Sequence, residues 1–229
     1  VVNDGVWRVD LTTLAVAGPK LTTGNMGGVL YLFSQNSGMT LSHGGATLVT
    51  CNSFSNTISI IDTAAWSVVA TLPVGTFPVR AVFSADDSRI YVTSRDGDSI
   101  TVVANAGGGS AVIGTIPVGD YPFEMVIAPG GATLYVANFQ ARTIGVVDLV
   151  GGVMTSTIPV PDPPQGLALD PAGAFLYVPS GNWSVSVGPG PAFSIAKSGQ
   201  FSVIDTATRL IAEQVVTGLP PAMLDWNAA

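Results

Sequence analysis

The chain of 229 residues carries a formal net charge of −7 and is 47% hydrophobic, with only 10% charged residues. Its eight Lys and Arg residues are scattered singly, so no basic surface for nucleic acid is predicted. No apolar run approaches the roughly 18 to 20 residues of a membrane-spanning helix, so membrane insertion is not expected. Gly, Pro, Asp and Asn instead interrupt the apolar residues at short intervals, which is typical of β-strands bounded by turns.

One layout recurs along the chain. The stretch "MTLSHGGATLVTCN" begins at Met39, and "MVIAPGGATLYVAN" begins at Met125. Residues 82–94 ("VFSADDSRIYVTS") and 167–180 ("LALDPAGAFLYVPS") have the same order of apolar run, polar turn and second apolar run. We align the second run of each repeat on the positions that follow in chain order at intervals of 43, 44 and 42 residues: Leu48, Tyr91, Tyr135 and Tyr177.

A third strand follows each second run in phase. It reads "GVWRVDL" at residues 5–11, "TISIIDT" at 57–63, "SITVVAN" at 99–105, "TIGVVDL" at 143–149 and "FSVIDT" at 201–206. A fourth strand then ends in "TLPVG", "TIPVG" or "TIPVP". A period of about 40 to 45 residues with four short strands is typical of a β-propeller blade.

These motifs resemble a known family. "RIYVTS", "TLYVAN" and "FLYVPS", together with the "VIDT"-like third strands, are similar to the YVTN-type β-propeller repeats of surface-layer and other exported microbial proteins, and to the wider lactonase-like propeller group. The resemblance implies a propeller made of four-stranded antiparallel blades. For function it implies a binding or scaffold protein more than an enzyme, because the repeat motif itself encodes no catalytic site.

The number of third strands predicts five blades. These strands end at or near Asp10, Asp62, Ala104, Asp148 and Asp205. The C-terminal "PPAMLDWNAA" reads as a first strand and the N-terminal "VVND" as the end of a second strand, so the two termini together make a last blade that is about eight residues short. We therefore expect residues 1–229 to form a single propeller domain closed by both termini, since closure removes free sheet edges. A fragment of a larger propeller is the alternative.

The repeat also predicts where a ligand binds. In such a blade, the links from the second to the third strand and from the fourth strand to the next blade emerge on one face, here called the link face. Two insertions, residues 21–38 and 181–200, both fall on it. Loop growth on one side of a rigid repeat is how binding surfaces are built, although neutral variation in loops is the other reading.

The link face also collects aromatic, amide and charged side chains, which suit a carbohydrate or a protein or peptide ligand. Arg80 and Glu124 are expected at equivalent positions beside the channel, where they form either a ligand site or a simple ion pair. Trp183 is expected in a projecting loop, as a stacking platform or folded under that loop. The predicted ligand-binding residues are Arg80, Glu124, Tyr121, Trp183, Phe77, Gln165, Arg95 and Asn182.

Enzymatic chemistry has little support in the residues. His43 is the only His and lies in a turn, so it is predicted to be neither a metal ligand nor a general base. Cys51 is the only Cys, and its place within a strand predicts a buried, inert thiol. No Gly-x-Ser-x-Gly motif and no dense carboxylate cluster occurs, so no catalytic residue and no cofactor are predicted.

One enzymatic route stays open as the alternative function. The lactonase-like propellers that the motifs resemble use a Ca²⁺ site, and Ca²⁺ takes carboxylate and carbonyl oxygens. A lactonase-like hydrolase would need such a site at the channel mouth, although the available carboxylates are not at equivalent repeat positions. The candidates are Asp120, Glu124, Asp162 and Asp225.

The composition also bears on location. The chain is rich in Thr, Ser, Gly and Ala and poor in Lys, and it begins without Met or a signal peptide. We read it as a processed or trimmed product, and we expect a secreted, periplasmic or cell-surface protein.

Overall fold

The structure, a computed structural model, describes residues 5–24, 38–187 and 193–216, and the side chains of all of these except 182–198. The chain divides into two compact units, Val1–Pro117 and Val118–Ala229. Regular structure in the described ranges is β, apart from three short 3₁₀ turns at Ser53–Ser55, Arg95–Gly97 and Gly107–Gly109. The expected all-β class is confirmed, whereas the single domain 1–229 stays a prediction.

The first unit holds a terminal hairpin and two four-stranded antiparallel sheets, here called the first and second blades. The terminal hairpin pairs β1 with β4 and β2 with β3. Its strands are β1 Gly5–Val6, β2 Val9–Asp10, β3 Ala15–Val16 and β4 Leu21–Thr22. The first blade consists of β5 Met39–Leu41, β6 Thr47–Asn52, β7 Thr57–Asp62 and β8 Ser67–Pro73. The second consists of β9 Pro78–Phe83, β10 Arg89–Ser94, β11 Ser99–Ala104 and β12 Ala111–Pro117.

The second unit holds the third and fourth blades, which are again four-stranded and antiparallel in sequence order. The third blade consists of β13 Pro122–Ile127, β14 Thr133–Asn138, β15 Thr143–Asp148 and β16 Val153–Pro159. The fourth consists of β17 Ala168–Leu169, β18 Phe175–Val187, β19 Phe193–Asp205 and β20 Leu210–Val216. The predicted ladder of second, third and fourth strands is therefore present in all four blades.

A tight turn joins the first and second strands of every blade, with a residue in the left-handed backbone region at an equivalent position. That residue is Gly45 (φ 72°), Gly131 (φ 75°) and Gly173 (φ 71°) in the first, third and fourth blades. Glycine adopts this conformation at no steric cost. The second blade has Asp87 (φ 57°) at the same position.

Aspartates at the ends of third strands shape the turns that follow. Asp62 Oδ1 accepts hydrogen bonds from the backbone N–H of Ala64 (2.9 Å) and Ala65 (2.8 Å). Asp205 Oδ1 does the same for residues 207 and 208. An Asp carboxylate that binds the backbone two or three residues ahead favours a turn over continued strand.

The core of each unit lies between its two blades. In the first unit, one cluster joins Val49, Cys51, Ile58 and Ile60 of the first blade to residues of the second: Ala81, Phe83, Ile90, Val92 and Val103. In the second unit, Tyr135, Ile144 and Val146 of the third blade share a cluster with Leu176, Val178 and Ile204 of the fourth. Alternate strand residues face the neighbouring blade, so the period of two in the sequence becomes a sheet-on-sheet core.

The pairing corrects one residue of the predicted alignment. Val49 pairs with Ile60, as Tyr91 pairs with Val102. The expected anchor, Leu48, lies one position earlier and pairs with Ile61. Val49 is therefore the counterpart of the repeat tyrosines, because a slip of one residue in a strand moves every side chain to the other face.

Within the described ranges, helical structure is limited to these three short turns. Among the described residues, no helix combines the length and the apolar character needed to cross a membrane.

Candidate functional site

Backbone hydrogen bonds tie the two kinds of link to each other at one end of the second, third and fourth blades. In the second blade, Arg95 N–H donates to the carbonyl of Phe77 (2.9 Å). In the third, Phe139 N–H donates to the carbonyl of Tyr121 (2.9 Å). In the fourth, Gly181 N–H donates to residue 163 (3.2 Å). These equivalent bonds build the link face of each unit from backbone, independently of side-chain identity.

The aromatic residues of these links have a strained backbone. Phe77 (φ 56°) and Tyr121 (φ 60°) both lie in the left-handed region, directly before Pro78 and Pro122. This conformation is uncommon for a bulky residue and is often found at functional positions. The backbone conformation of each link thus fixes the position of its aromatic ring on the link face.

A stack of side chains surrounds Phe77 in the first unit, and we call Phe54, Phe77 and Arg95 the aromatic rim. The ring of Phe54 meets that of Phe77 edge to face, with centroids 5.1 Å apart. The guanidinium carbon of Arg95 lies 3.7 Å from the centroid of the Phe77 ring. Phe54 is 46% exposed, so the rim presents an aromatic surface to solvent.

Arg95 is held from two sides within this rim. Its Nε donates to Asp96 Oδ1 (2.8 Å) and its Nη2 to Asp96 Oδ2 (3.2 Å). Only 11% of the Arg95 side chain is exposed, against 40% for Asp96. A bidentate carboxylate and an aromatic face leave the guanidinium planar and fixed. Arg95 therefore packs on Phe77 in this structure, and its predicted contact with a ligand stays a prediction.

Arg80 lies on β9, half-buried, and its carbonyl accepts a hydrogen bond from Thr93 Oγ1 (3.4 Å). The positive charge of Arg80 acts on Cys51 in the adjacent core. Burial raises the pKa of the Cys51 thiol to about 12, and the positive charge of Arg80 lowers it only in part. Cys51 is fully buried, as predicted, and a thiol of this kind is protonated and unreactive.

The second unit has its own aromatic pair on the link face. The rings of Tyr121 and Phe139 lie 5.8 Å apart and are tilted by 46°. Glu124 lies on β13, where its Oε1 accepts a hydrogen bond from the N–H of Met125 (3.3 Å). Gln165 donates through Nε2 to the carbonyl of Gly181 (3.3 Å). Because Arg80 and Glu124 belong to different units, the rim they were expected to share stays a prediction.

The 181–200 insertion is not the loop expected from its Gly and Pro content. Strands β18 and β19 continue their ladder to the pair Val187↔Phe193. Asn182 pairs with Ser198 and Trp183 with Lys197, so both predicted site residues lie in a strand. Their side chains fall outside the described residues. The other insertion, 21–38, falls mostly at 25–37, which also lies outside them.

Buried polar side chains form a layer beneath the link glycines, and the sequence reading missed it. The layer holds one residue at the equivalent position of each second strand, all at most 1% exposed: Asn52, Ser94, Asn138 and Ser180. A Cβ added to Gly75 would lie 2.5 Å from Ser94 Oγ, and one added to Gly119 would lie 2.7 Å from Asn138 Nδ2. The Gly in the repeated "PVG" was the available signal, since a close backbone approach requires it.

No metal centre is visible in the described residues. Within 5–24, 38–187 and 193–216, no group of three or more His, Cys, Asp and Glu side chains is placed to hold an ion. Asp120 is exposed and Asp162 half-buried in their links. Asp225 lies outside the described residues. The predicted convergence of these carboxylates with Glu124 therefore stays a prediction.

His43 has a specific partner at the opposite end of the blades from the link face. Its Nδ1 lies 2.8 Å from Asp87 Oδ1, and its backbone N–H donates to the same oxygen (2.9 Å). The N–H of Gly44 donates to Asp87 Oδ2 (2.8 Å). The turn that contains His43 therefore contacts the second blade through Asp87. At the equivalent turn position, the other three blades have Gly.

Comparison with known proteins identifies the fold. No protein-family model and no curated protein matches the chain, so the YVTN resemblance is not confirmed. Hydrazine synthase from Kuenenia stuttgartiensis is similar in structure, with a TM-score of 0.68 at 24% identity, over 83% of this chain and 51% of that one. The dihydro-heme d1 dehydrogenase NirN follows at 0.67 and 12%, over 96% and 44%. The Swd1 β-propeller domain of Myceliophteria thermophila gives 0.62 and 12%, over 93% and 80%.

These similarities show a β-propeller fold and nothing about chemistry, because all the identities are below 25%. The chain spans about half the length of hydrazine synthase and less than half of NirN.

Proposed function

We propose that the chain is a non-enzymatic β-propeller binding or scaffold protein, which holds a carbohydrate or peptide ligand on the link face. The observation that carries the proposal is the aromatic rim of the first unit. Phe54 offers an exposed ring, and the Phe77 ring beside it is held by a left-handed backbone and by Arg95. A rigid aromatic surface loses little entropy on binding, which suits stacking on a sugar ring or a peptide side chain.

Each predicted site residue has a role in this proposal. Phe54 and Phe77 contact the ligand, Arg80 offers a charge beside them, and Arg95 positions the Phe77 ring. In the second unit, Tyr121, Glu124 and Gln165 form the corresponding rim, with Asn182 and Trp183 at the base of the β18–β19 hairpin. An exported location belongs to the same proposal, since extracellular propellers meet such ligands.

We further propose five blades, the last one shared by both ends of the chain. The terminal hairpin is compatible with this, because β1 pairs with β4 and β2 with β3, as the third and fourth strands of a blade do. Deleting residues 223–229 should then expose sheet edges and lower the melting temperature. An unchanged melting temperature in that deletion would contradict closure.

The binding proposal is tested by screening the full chain on a glycan array and a peptide library. For any ligand found, Phe54→Ala should weaken binding about tenfold or more, since aromatic anchors dominate such interfaces. Arg80→Ala and Trp183→Ala test two further predicted site residues in the same assay. Phe175→Ala is the matched control, because Phe175 is an aromatic of similar exposure (38%) at the turn end of the fourth blade.

Two results would count against the proposal. A ligand whose affinity is unchanged by all three link-face substitutions would lie elsewhere on the protein. A loss of affinity in Phe175→Ala alone would move the site to the turn end of the blades.

A further inference from the structure

Two polar side chains accompany the aromatic rim and are held in place by it. Asn56 is exposed in the turn between β6 and β7, and its Oδ1 accepts a hydrogen bond from the N–H of Phe77 (2.9 Å). The Asp96 side chain is 40% exposed, and its two oxygens accept hydrogen bonds from Arg95 (2.8 and 3.2 Å). Neither Asn56 nor Asp96 is among the residues that the sequence predicts to bind a ligand.

Backbone hydrogen bonds bring these two side chains to the same part of the link face. The N–H of Val74 donates to the carbonyl of Asn56 (2.9 Å), which ties the turn of the first blade to the link 74–77. The N–H of Asp96 donates to the carbonyl of Thr76 (3.2 Å), which ties the turn of the second blade to the same link. One short link is therefore bonded to both turns, and it carries Phe77 with it.

The two side chains offer opposite kinds of hydrogen-bonding group. The Asn56 carboxamide uses Oδ1 for the backbone of Phe77, so the group it can present to a ligand is Nδ2, with two N–H donors. The Asp96 carboxylate only accepts, and it has more lone pairs than the two donors of Arg95 use. A donor and an acceptor, both fixed by hydrogen bonds, thus accompany the ring of Phe54, which is 46% exposed.

We propose that this surface binds a neutral carbohydrate, with one sugar ring stacked on Phe54 and its hydroxyl groups bonded to Asn56 and Asp96. A pyranose ring has an apolar C–H face for an aromatic side chain, and each of its hydroxyls both donates and accepts hydrogen bonds. Partners that are already fixed lose little entropy on binding. The inference rests on the proposed function and narrows its two ligand classes to one.

A basic peptide is the competing ligand, because Asp96 and Asp98 are both exposed carboxylates. Two features favour the sugar. Arg95 engages both oxygens of Asp96 and balances its negative charge. Asn56 presents N–H donors, for which the side chain of Lys or Arg has no acceptor. A cation would therefore meet a neutralised carboxylate and an amide of the wrong polarity.

Exchange of Asn56 for Asp separates the two ligand classes by the sign of its effect. Asp tolerates the left-handed backbone of this position (φ 54°), and its carboxylate can still accept the N–H of Phe77. Asn56→Asp thus replaces an outward donor by a negative charge. The full chain is screened on a glycan array, and the affinity for the strongest glycan is measured by calorimetry. We expect Asn56→Asp to weaken that glycan about fivefold or more, whereas a basic peptide would bind the variant more tightly.

A second substitution tests the acceptor independently of Asn56. Asp96→Asn keeps the shape of the side chain and removes part of its acceptor capacity, so we expect the same glycan to bind about fivefold more weakly. Asp86→Asn is the matched control, because it makes the same exchange in a turn at the opposite end of the blades. It should leave the affinity within about twofold.

The outcomes separate this inference from the proposed function. A glycan that Phe54→Ala weakens, but that binds Asn56→Asp and Asp96→Asn as it binds the parent chain, would overturn the inference and leave binding on the link face intact. A peptide that Phe54→Ala weakens and Asn56→Asp strengthens would do the same. A ligand that none of the three substitutions affects, or the absence of any bound glycan or peptide, would contradict both.

Discussion

Replacement of Asp87 by Asn tests whether one side chain couples the first and second blades. Asp87 occupies a left-handed turn position that is Gly in the other three blades, and Asn tolerates this conformation. The substitution therefore keeps the turn and removes the charge. In the parent chain, the Asp87 carboxylate accepts three hydrogen bonds from the preceding blade. The donors are His43 N, His43 Nδ1 and Gly44 N, at 2.8 to 2.9 Å.

The expected loss follows from these contacts. A hydrogen bond to a charged group contributes about 1.5 to 3 kcal/mol when it is shielded from water. The Asp87 side chain is 23% exposed and that of His43 is 62% exposed, so solvent screens much of this free-energy contribution. We expect Asp87→Asn to lower the free energy of unfolding by about 1 to 2 kcal/mol, which lowers the melting temperature by roughly 2 to 8 °C.

The effect should depend on pH in one direction. Burial raises the pKa of the Asp87 carboxyl, but the N–H of Gly44 and the donors of His43 outweigh burial and hold that pKa below its ordinary value of 3.8. A carboxyl with a lowered pKa in the folded state stabilises the fold above its ordinary pKa and loses that contribution as the pH falls through the folded value. The difference between parent and Asp87→Asn should thus be full at pH 7 and shrink below about pH 4.

Thermal unfolding followed by circular dichroism at pH 7, 5 and 3 measures this difference. Asp86→Asn is the matched control, because Asp86 bonds only to Ser84 and Ser88 of its own turn among the contacts described. His43→Ala should reproduce part of the Asp87→Asn loss and leave ligand binding intact. Equal melting temperatures for parent and Asp87→Asn at pH 7, or a difference that persists undiminished at pH 3, would refute the reasoning.

Three further substitutions test the core and the buried polar layer by urea unfolding. Cys51→Ser should cost about 1 to 3 kcal/mol, and the native thiol, whose pKa burial raises to about 12, should resist a thiol reagent that modifies the unfolded chain. Gly75→Ala should cost about 1 to 3 kcal/mol because its Cβ would meet Ser94, whereas Gly114→Ala, with nothing within 4 Å, should change stability by less than about 0.5 kcal/mol. Ser180→Ala should be neutral or slightly stabilising, since its buried hydroxyl has no hydrogen-bond partner in the described chain; a loss above about 1 kcal/mol would indicate an ordered water there.

Local sequence was enough to predict the strands and turns of the blades. Alternating apolar residues, an Asp after each of several third strands and Gly in the turns act over a few residues, so their consequences can be read without the fold. The turns after Asp62 and Asp205 and the left-handed glycines at 45, 131 and 173 are of this kind. The same reading predicted the burial of Cys51.

Pairing between segments that are distant in the sequence decided the strand register and the length of the strands in the fourth blade. The counterpart of the repeat tyrosines is Val49 and not Leu48, because register is set by the partner strand and not by residue type. Gly and Pro predicted a loop at 181–200, whereas the ladder of β18 with β19 extends through Asn182 and Trp183, since backbone pairing outweighs weak local propensity.

The candidate site also divides into features that local sequence predicts and contacts that depend on distant segments. Phe77 was recognised on the rim from the repeat, but its neighbours Phe54 and Arg95 come from links 23 and 18 residues away along the chain. Asp87 and His43 are 44 residues apart, and no local sequence pattern indicates their contact. The sequence by itself determined which residues form strands and on which end of a blade each link falls. Only the tertiary structure decided which side chains meet there, because such contacts depend on how whole blades pack against each other and not on any local pattern.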